Sequence, residues 1–378
     1  MRRTVEKQSS RHFDAIVVGG GVIGLACAWR AAQRGLDVVV LERSRPGAGA
    51  SNVAAGMLAP VGEATWGEDH LLELALDSHA RWPQFAAELA TATGRDVGFL
   101  ELGALHVALD RDEAGELRRR FELMREHRLE ASWLRPSDCR ALEPGLAAGG
   151  AGGVHAPHES AVDPRALVSA LALASEGAGG SIVIAEAADA LLDDGRLAGV
   201  RTSDGREWRA EATVLAAGAW SASSWLPAEA RPPIRPVKGQ ILTLAGSPAA
   251  SPCERIVVTE RVYMVPRGDG RLVVGATVEE QGFDTRVTAG GVHELLREAY
   301  RALPEIAELE LVETTAGLRP ATPDNLPLIG PGAVDGLVLA TGHFRNGILL
   351  APLTADRIAG VLASDRVAAE RVGEAVGR

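Results

Sequence analysis

Asp14-Ala-Ile-Val-Val-Gly-Gly-Gly-Val-Ile-Gly24 decides the fold. A short apolar, β-branched run empties into glycines and then into Leu25–Arg34, rich in helix formers. Gly35 follows as a helix terminator, and Asp37–Leu41 is a second apolar strand ending at Glu42. Strand, glycine turn, helix and strand within about thirty residues make a βαβ unit, because parallel strands need a crossover. Gly19, Gly21 and Gly24 hold the spacing of a phosphate cradle. The first glycine allows the tight turn, the second admits a pyrophosphate against the backbone, and the third lets the helix pack on the strand. Val22 and Ile23 complete the turn. Glu42, about 20 residues on, is placed to accept ribose hydroxyls and would repel a 2′-phosphate, so FAD or NAD is expected and NADP is disfavoured.

Working outward, Ser181–Ile184, Ala212–Ala217 and Gly336–Thr341 read as further strands, and Ile348–Ala363 has helical spacing. Between them, Leu71–Gly94 and Glu113–Leu129 are charged, amphipathic helices. Arg255–Pro266 and Arg271–Thr277 alternate as strands around the hairpin signal Arg267-Gly-Asp-Gly270. The expected fold class is α/β: a Rossmann-like nucleotide-binding domain interrupted by a mainly antiparallel β-sheet domain with helices. We place the first domain at 13–80, 150–225 and 315–378, the second at 81–149 and 226–314, and a loose tail at 1–12.

Composition narrows function. The 378 residues carry 39 basic and 50 acidic side chains, a net charge of −11. That sign opposes phosphate neutralisation and, with aromatics at 4%, argues against a nucleic-acid partner. Cys27, Cys139 and Cys253 are too scattered for a disulfide framework or a Cys-x-x-Cys site. No apolar run reaches the roughly 18 residues that cross a bilayer, and Met1–His12 lack a secretory apolar core, so a cytoplasmic protein without a membrane partner is expected. His155-x-x-His158 reads as part of a proline-containing loop and lacks an acidic pair, so no metal site is assigned. No Gly-x-Ser-x-Gly elbow and no His/Asp pair is legible.

Three further segments carry chemistry. Gly47-Ala-Gly-Ala-Ser-Asn-Val-Ala-Ala-Gly-Met-Leu58 is a small-residue stretch suited to lie along an extended cofactor, with Ser51 able to donate. Val214-Leu-Ala-Ala-Gly-Ala-Trp-Ser221 and Gly342-His-Phe-Arg-Asn-Gly-Ile-Leu349 put glycine turns at strand C-termini, where α/β sheets bind ligands.

Together with Arg235-Pro-Val-Lys-Gly-Gln240, Tyr263-Met-Val-Pro-Arg267, Gly270–Thr277 and Gly317–Gly330, these motifs resemble the FAD-dependent D-amino-acid oxidase superfamily, and within it the glycine oxidases of thiamine biosynthesis. The resemblance runs from about Phe13 to beyond Leu353. It implies FAD over Gly19–Gly24, with Glu42 and Arg43 near the ribose and Ala188 near the adenine. Ala50, Ser51, Ala55, Gly56 and Met57 would line the flavin side, and Gly218 would be a further cofactor contact. His343, Phe344, Arg345, Asn346, Gly347, Ile348 and Leu349 would wrap the ring, with a helix starting near Asn346 aimed at it. Arg319 matches the carboxylate-binding arginine and Tyr263 the active-site tyrosine, and Arg345 is a further candidate facing substrate. The implied reaction takes a small amino acid and oxygen to a 2-oxo acid, ammonia and peroxide, in a homotetramer. A dehydrogenase passing electrons to a quinone and a sarcosine oxidase remain alternatives. Val278 departs from the pattern, since glycine oxidases carry methionine there.

Overall fold

The computed structural model describes residues 12–247 and 251–376, with side chains to residue 364. The tail expected at 1–12 lies outside these apart from His12, which already belongs to the first strand, His12–Val18, paired to Arg209. That strand runs parallel to Val38–Glu42, with Val17 opposite Val40. Helix α1 (Val22–Gln33) crosses between them. It begins three residues before the expected Leu25 because Gly21 is extended (φ −76°, ψ 179°) and releases the chain straight into the helix. It ends where Gly35 adopts φ +79°.

The first sheet has the order Ala187–Asp193, Arg196–Thr202, Glu207–Leu215, His12–Val18, Val38–Glu42 and Ser181–Ile184. Leu337–Thr341 extends it parallel to Glu207–Leu215. Five adjoining strands are therefore parallel, and their C-terminal ends open on one side. Small residues on α1, Ala26, Ala28 and Ala31, let it pack closely against helix α2 (Pro164–Gly177) and helix α3 (Ala351–Val376).

The second sheet orders Glu310–Ala321, Arg235–Ala245, Arg271–Gly275, Tyr263–Pro266, Ile256–Val258, Ala104–Ala108, Gly152–Ala156 and Ser132–Leu134. All its pairings are antiparallel except Ile256–Val258 beside Ala104–Ala108. The expected hairpin forms, with Arg267 N–H donating to Arg271 O across the turn. His155 lies in a strand rather than a loop.

The expected boundaries shift in three places. Position 80/81 falls inside the helix Asp69–Thr93, whose Trp82, Phe85 and Leu89 are buried in the core under the first sheet. Phe85 meets Trp29 edge-on at 5.3 Å. Gly152–Ala156 and Glu310–Ala321, assigned in whole or part to the first domain, pair in the second sheet. The charged outer face of Asp69–Thr93 hides its buried stripe from a composition reading.

Three arginine contacts fasten the sheets together. Arg267, buried on the hairpin, donates to Val162 O at 3.0 Å and to Ala55 O. Arg271 bonds Asp163 at 2.8 Å, and Arg165 bonds Glu313 at 2.8 Å. Among the described residues no helix is long and apolar enough to cross a membrane.

Candidate cofactor and substrate cleft

A continuous cleft of about 1230 Å³ opens where the parallel strands end and reaches across to the second sheet. Its floor is the glycine turn. A Cβ on Gly19 (φ +111°) would lie 2.4 Å from Ala216 O, and one on Gly24 only 1.9 Å from Gly19 O. Both positions are closed by backbone and must stay bare. Gly21 differs, because a Cβ there would meet only Ser51 Oγ, at 3.4 Å, and otherwise enter the cleft. Ser51 Oγ accepts the Val22 N–H at 3.0 Å, which leaves its own proton to donate. Val22 and Ile23 carry the first amides of α1 to the cleft wall, where anions are favoured.

Glu42 stands at the end of the second strand as expected. Its Oε2 accepts Gly20 N–H at 2.8 Å and keeps a lone pair, while its Oε1 accepts both Ser44 N–H at 2.9 Å and the Ser44 hydroxyl at 3.2 Å. Arg43 lies flat over Trp220, its guanidinium carbon 3.8 Å from the ring centre, so the pair forms one wall. Ala188 is the extra residue of a β-bulge between Ala187 and Asp189, out of ladder register and beside the cleft. Gly218 (φ +55°) turns the chain away beneath it.

Ala50, Ala55, Gly56 and Met57 line the middle of the cleft, facing His343–Leu349. The helix expected near Asn346 is absent there. Phe344–Asn346 form a 3₁₀ turn, Phe344 has φ +46°, and the long helix starts only at Ala351. Among the described residues, the N–H groups of Gly347, Ile348 and Leu349 have no acceptor at the cleft wall. The Leu349 carbonyl is pinned from behind by Ser78 Oγ at 2.7 Å and Trp82 Nε1 at 2.9 Å. His343 is buried against Thr354 Oγ1 at 2.9 Å, and burial depresses its pKa to about 3, so it is neutral.

On the second sheet, Tyr263 and Arg319 converge on the cleft, the arginine charge acting on the phenol. Two glycines make room for them. A Cβ on Gly275 would fall 2.4 Å from the Tyr263 hydroxyl, and one on Gly239 would fall 2.3 Å from Arg319 Nη1. Arg319 Nη1 donates to Thr277 O at 3.1 Å and Lys238 O at 3.3 Å, which fixes the plane of the guanidinium. Burial raises the Tyr263 pKa and the arginine partly offsets it, so the hydroxyl stays protonated. Val278 lines the same end and is 71% exposed. Arg345 lines the cleft too, but its charge is engaged by Glu63 at 2.8 Å and Glu68 at 3.6 Å.

A model of the FAD dependent oxidoreductase family matches residues 14–360. The chain is a member of that family. It is 36% identical over 361 residues to a glycine oxidase of Geobacillus kaustophilus, covering 95% of this chain and 93% of that protein. It is 37% identical over 351 residues to the bifunctional protein ThiO/ThiG of Trichormus variabilis, covering 92% of this chain and 52% of that one. The crystal structure of glycine oxidase from Geobacillus kaustophilus superposes with a TM-score of 0.87 at 36% identity, covering 94% of this chain and 95% of that one.

As an FAD-dependent oxidoreductase, the protein must house a long dinucleotide, and the cleft suits one. Gly21 leaves space that a pyrophosphate would fit, the Ala188 bulge offers unladdered backbone groups, and the amides of 347–349 have no acceptor among the described residues. Several cleft residues of the oxidoreductase were not foreseen: Trp220, Glu63, Arg120 and His106, the last backed by buried Glu159, which does not itself line the cleft. His106 sits in Ala104–Ala108, otherwise wholly apolar, and its polarity within that run is the one signal that could have marked it.

Proposed function

We propose that this oxidoreductase oxidises glycine and other small amines, sarcosine and small D-amino acids included, to the 2-oxo acid, ammonia and hydrogen peroxide. The observation that carries this reading is the Tyr263–Arg319 pair, set in a notch made by Gly239 and Gly275 at one end of a dinucleotide cleft. A guanidinium already oriented by two carbonyls presents its remaining donors to a carboxylate, and the Tyr263 hydroxyl adds a third contact. That grip fixes the acid end, and so the α-carbon, of any short amino acid. FAD, when bound, supplies the two-electron acceptor, and oxygen regenerates it. Gly19, Gly21, Gly24, Glu42 and Arg43 would hold its adenosine and pyrophosphate, with Ala188 at the adenine. Ser51, Met57 and His343–Leu349 would bracket the ring, the 347–349 amides favouring negative charge there. Val278 presents only a short side chain at the notch, which leaves room for an N-methyl or Cα substituent.

The relatives named glycine oxidase and ThiO/ThiG support a place in thiamine thiazole formation, and a cytoplasmic homotetramer completes the proposal. The test is anaerobic bleaching of the yellow holoenzyme by glycine, sarcosine, D-alanine and D-proline, followed by peroxide assay in air. Bleaching by none of them would overturn the reading; bleaching without peroxide would reassign the acceptor. Arg319→Ala should cost about 2–5 kcal/mol in kcat/KM for such amines.

A further inference from the structure

A small amino acid reaches the cleft as a zwitterion, and its ammonium must lose a proton before the α-carbon can be oxidised to an imine. The residues that hold the carboxylate cannot take that proton: Arg319 is a cation and Tyr263 is a protonated phenol. We propose that His106, backed by Glu159, is the proton acceptor for the substrate ammonium. The proposal rests on the amine-oxidising reading above.

Strand register places the imidazole. His106 is opposite Val258, and Val258 is opposite Tyr263. The three form one row across neighbouring strands, and residues of a row project from the same face. All three line the cleft. Two strand spacings separate the His106 and Tyr263 backbones by roughly 10 Å. A carboxylate-anchored amine, with one water, fills that span.

The imidazole has no competing task. It is 3% exposed, and neither ring nitrogen has a hydrogen-bond partner among the described residues. Nε2 lies 3.7 Å from Glu159 Oε2, which is likewise unpartnered, while Glu159 Oε1 accepts the Gly62 N–H. Unpaired buried polar atoms are costly, and a site that retains them beside a ligand cavity retains them for a ligand. Gly62 is bare for this ring: a Cβ there would fall 2.2 Å from Nε2. The arrangement has the form of a general base, a carboxylate beside an imidazole whose other nitrogen is buried without a partner among the described residues. Other charges around it are engaged elsewhere. Arg120 donates to Gly62 O, Glu63 pairs with Arg345, and His79 contacts Ser160. Arg261 sits on the turn after Val258 and lines the same cleft, and His155 projects from the opposite face of the sheet, level with Leu105.

In the step, one ammonium N–H bond breaks, its electron pair stays on nitrogen, and an N–H bond forms at Nδ1 while Nε2–H faces Glu159. The proton passes to solvent after product leaves. No electron is transferred to or from the protein.

The experiment is rapid mixing of anaerobic holoenzyme with glycine between pH 6 and 10.5, for the unaltered chain, His106→Gln and Glu159→Gln. Near pH 7, H106Q should reduce roughly 10²-fold more slowly. It should converge on the unaltered enzyme near pH 10, where an aliphatic amine deprotonates by itself. E159Q, which keeps an oxygen for Gly62 N–H, should show a smaller deficit with the same convergence. A deficit equal at every pH would mark His106 as structural and overturn the proposal, as would no deficit. If the unaltered holoenzyme is not bleached by any small amine, the functional reading itself fails, and the proton acceptor falls with it.

Discussion

Gly239→Ala should uncouple substrate binding from stability. The new Cβ would stand 2.3 Å from Arg319 Nη1, 2.4 Å from Nη2 and 2.5 Å from Cζ. Non-bonded heavy atoms settle at about 3.5 Å or more, so the guanidinium must retreat by roughly 1 Å. It lies at the end of a flexible side chain, and the strand pairing of Gly239 with Gly317 need not change. The fold should therefore lose under about 1 kcal/mol, a melting shift of a few degrees at most. Catalysis cannot absorb the move so cheaply. Misplacing a positioning group by about 1 Å costs on the order of 10²-fold, equivalent to about 2.7 kcal/mol. The assay is steady-state kinetics on glycine for G239A, R319A and the double variant, with thermal melts of each. A rise in KM for G239A that vanishes in the R319A background shows that the glycine acts through the arginine. Unchanged glycine kinetics in G239A, or full additivity with R319A, would refute the claim that the notch exists to seat the guanidinium.

The glycine turn should divide by position: Gly24→Ala, driven into Gly19 O, should give little folded protein, whereas Gly21→Ala should fold but lose FAD on dialysis, read from the flavin absorbance. Ser78→Ala and Trp82→Phe should each cost under about 1.5 kcal/mol in urea unfolding. Together they should cost more than their sum, because only the pair orphans the Leu349 carbonyl. His343 titrates near 6.5 when unfolded and about 3 when folded, so the folded state binds fewer protons between those values. Its contribution is whole above pH 6.5 and is lost as pH falls toward 3, by at most about 5 kcal/mol. His343→Asn should flatten the acid limb of apoprotein stability over that window.

The βαβ unit was legible because Val17, Val18 and Val38–Leu41 are apolar without interruption and the glycines between them admit one turn. Arg319 and Tyr263 were reached only through family resemblance, since nothing in their spacing forecasts that Arg235–Ala245 and Arg271–Gly275 lie between their strands and bring them to one cleft. The helix expected at Asn346 failed for a local reason: Phe344 in a left-handed conformation followed by Gly347 favours a tight 3₁₀ turn. His106 and Glu159 were invisible as a pair because their meeting depends on a loop that returns beside Ala104–Ala108, a tertiary event with no sequence period. The domain boundary misplaced at 80/81 shows the same limit, since surface charge on a helix does not report which core takes its other face.

The arginines that fasten the sheets also constrain motion. Swinging one sheet away from the other would strip buried Arg267 from two carbonyls at once and break the Asp163 and Glu313 pairs, so such a motion is costly. The partly exposed Arg345–Glu63 bridge on the cleft wall has no such shelter. Ionic strength should therefore weaken that bridge while leaving the buried seam intact.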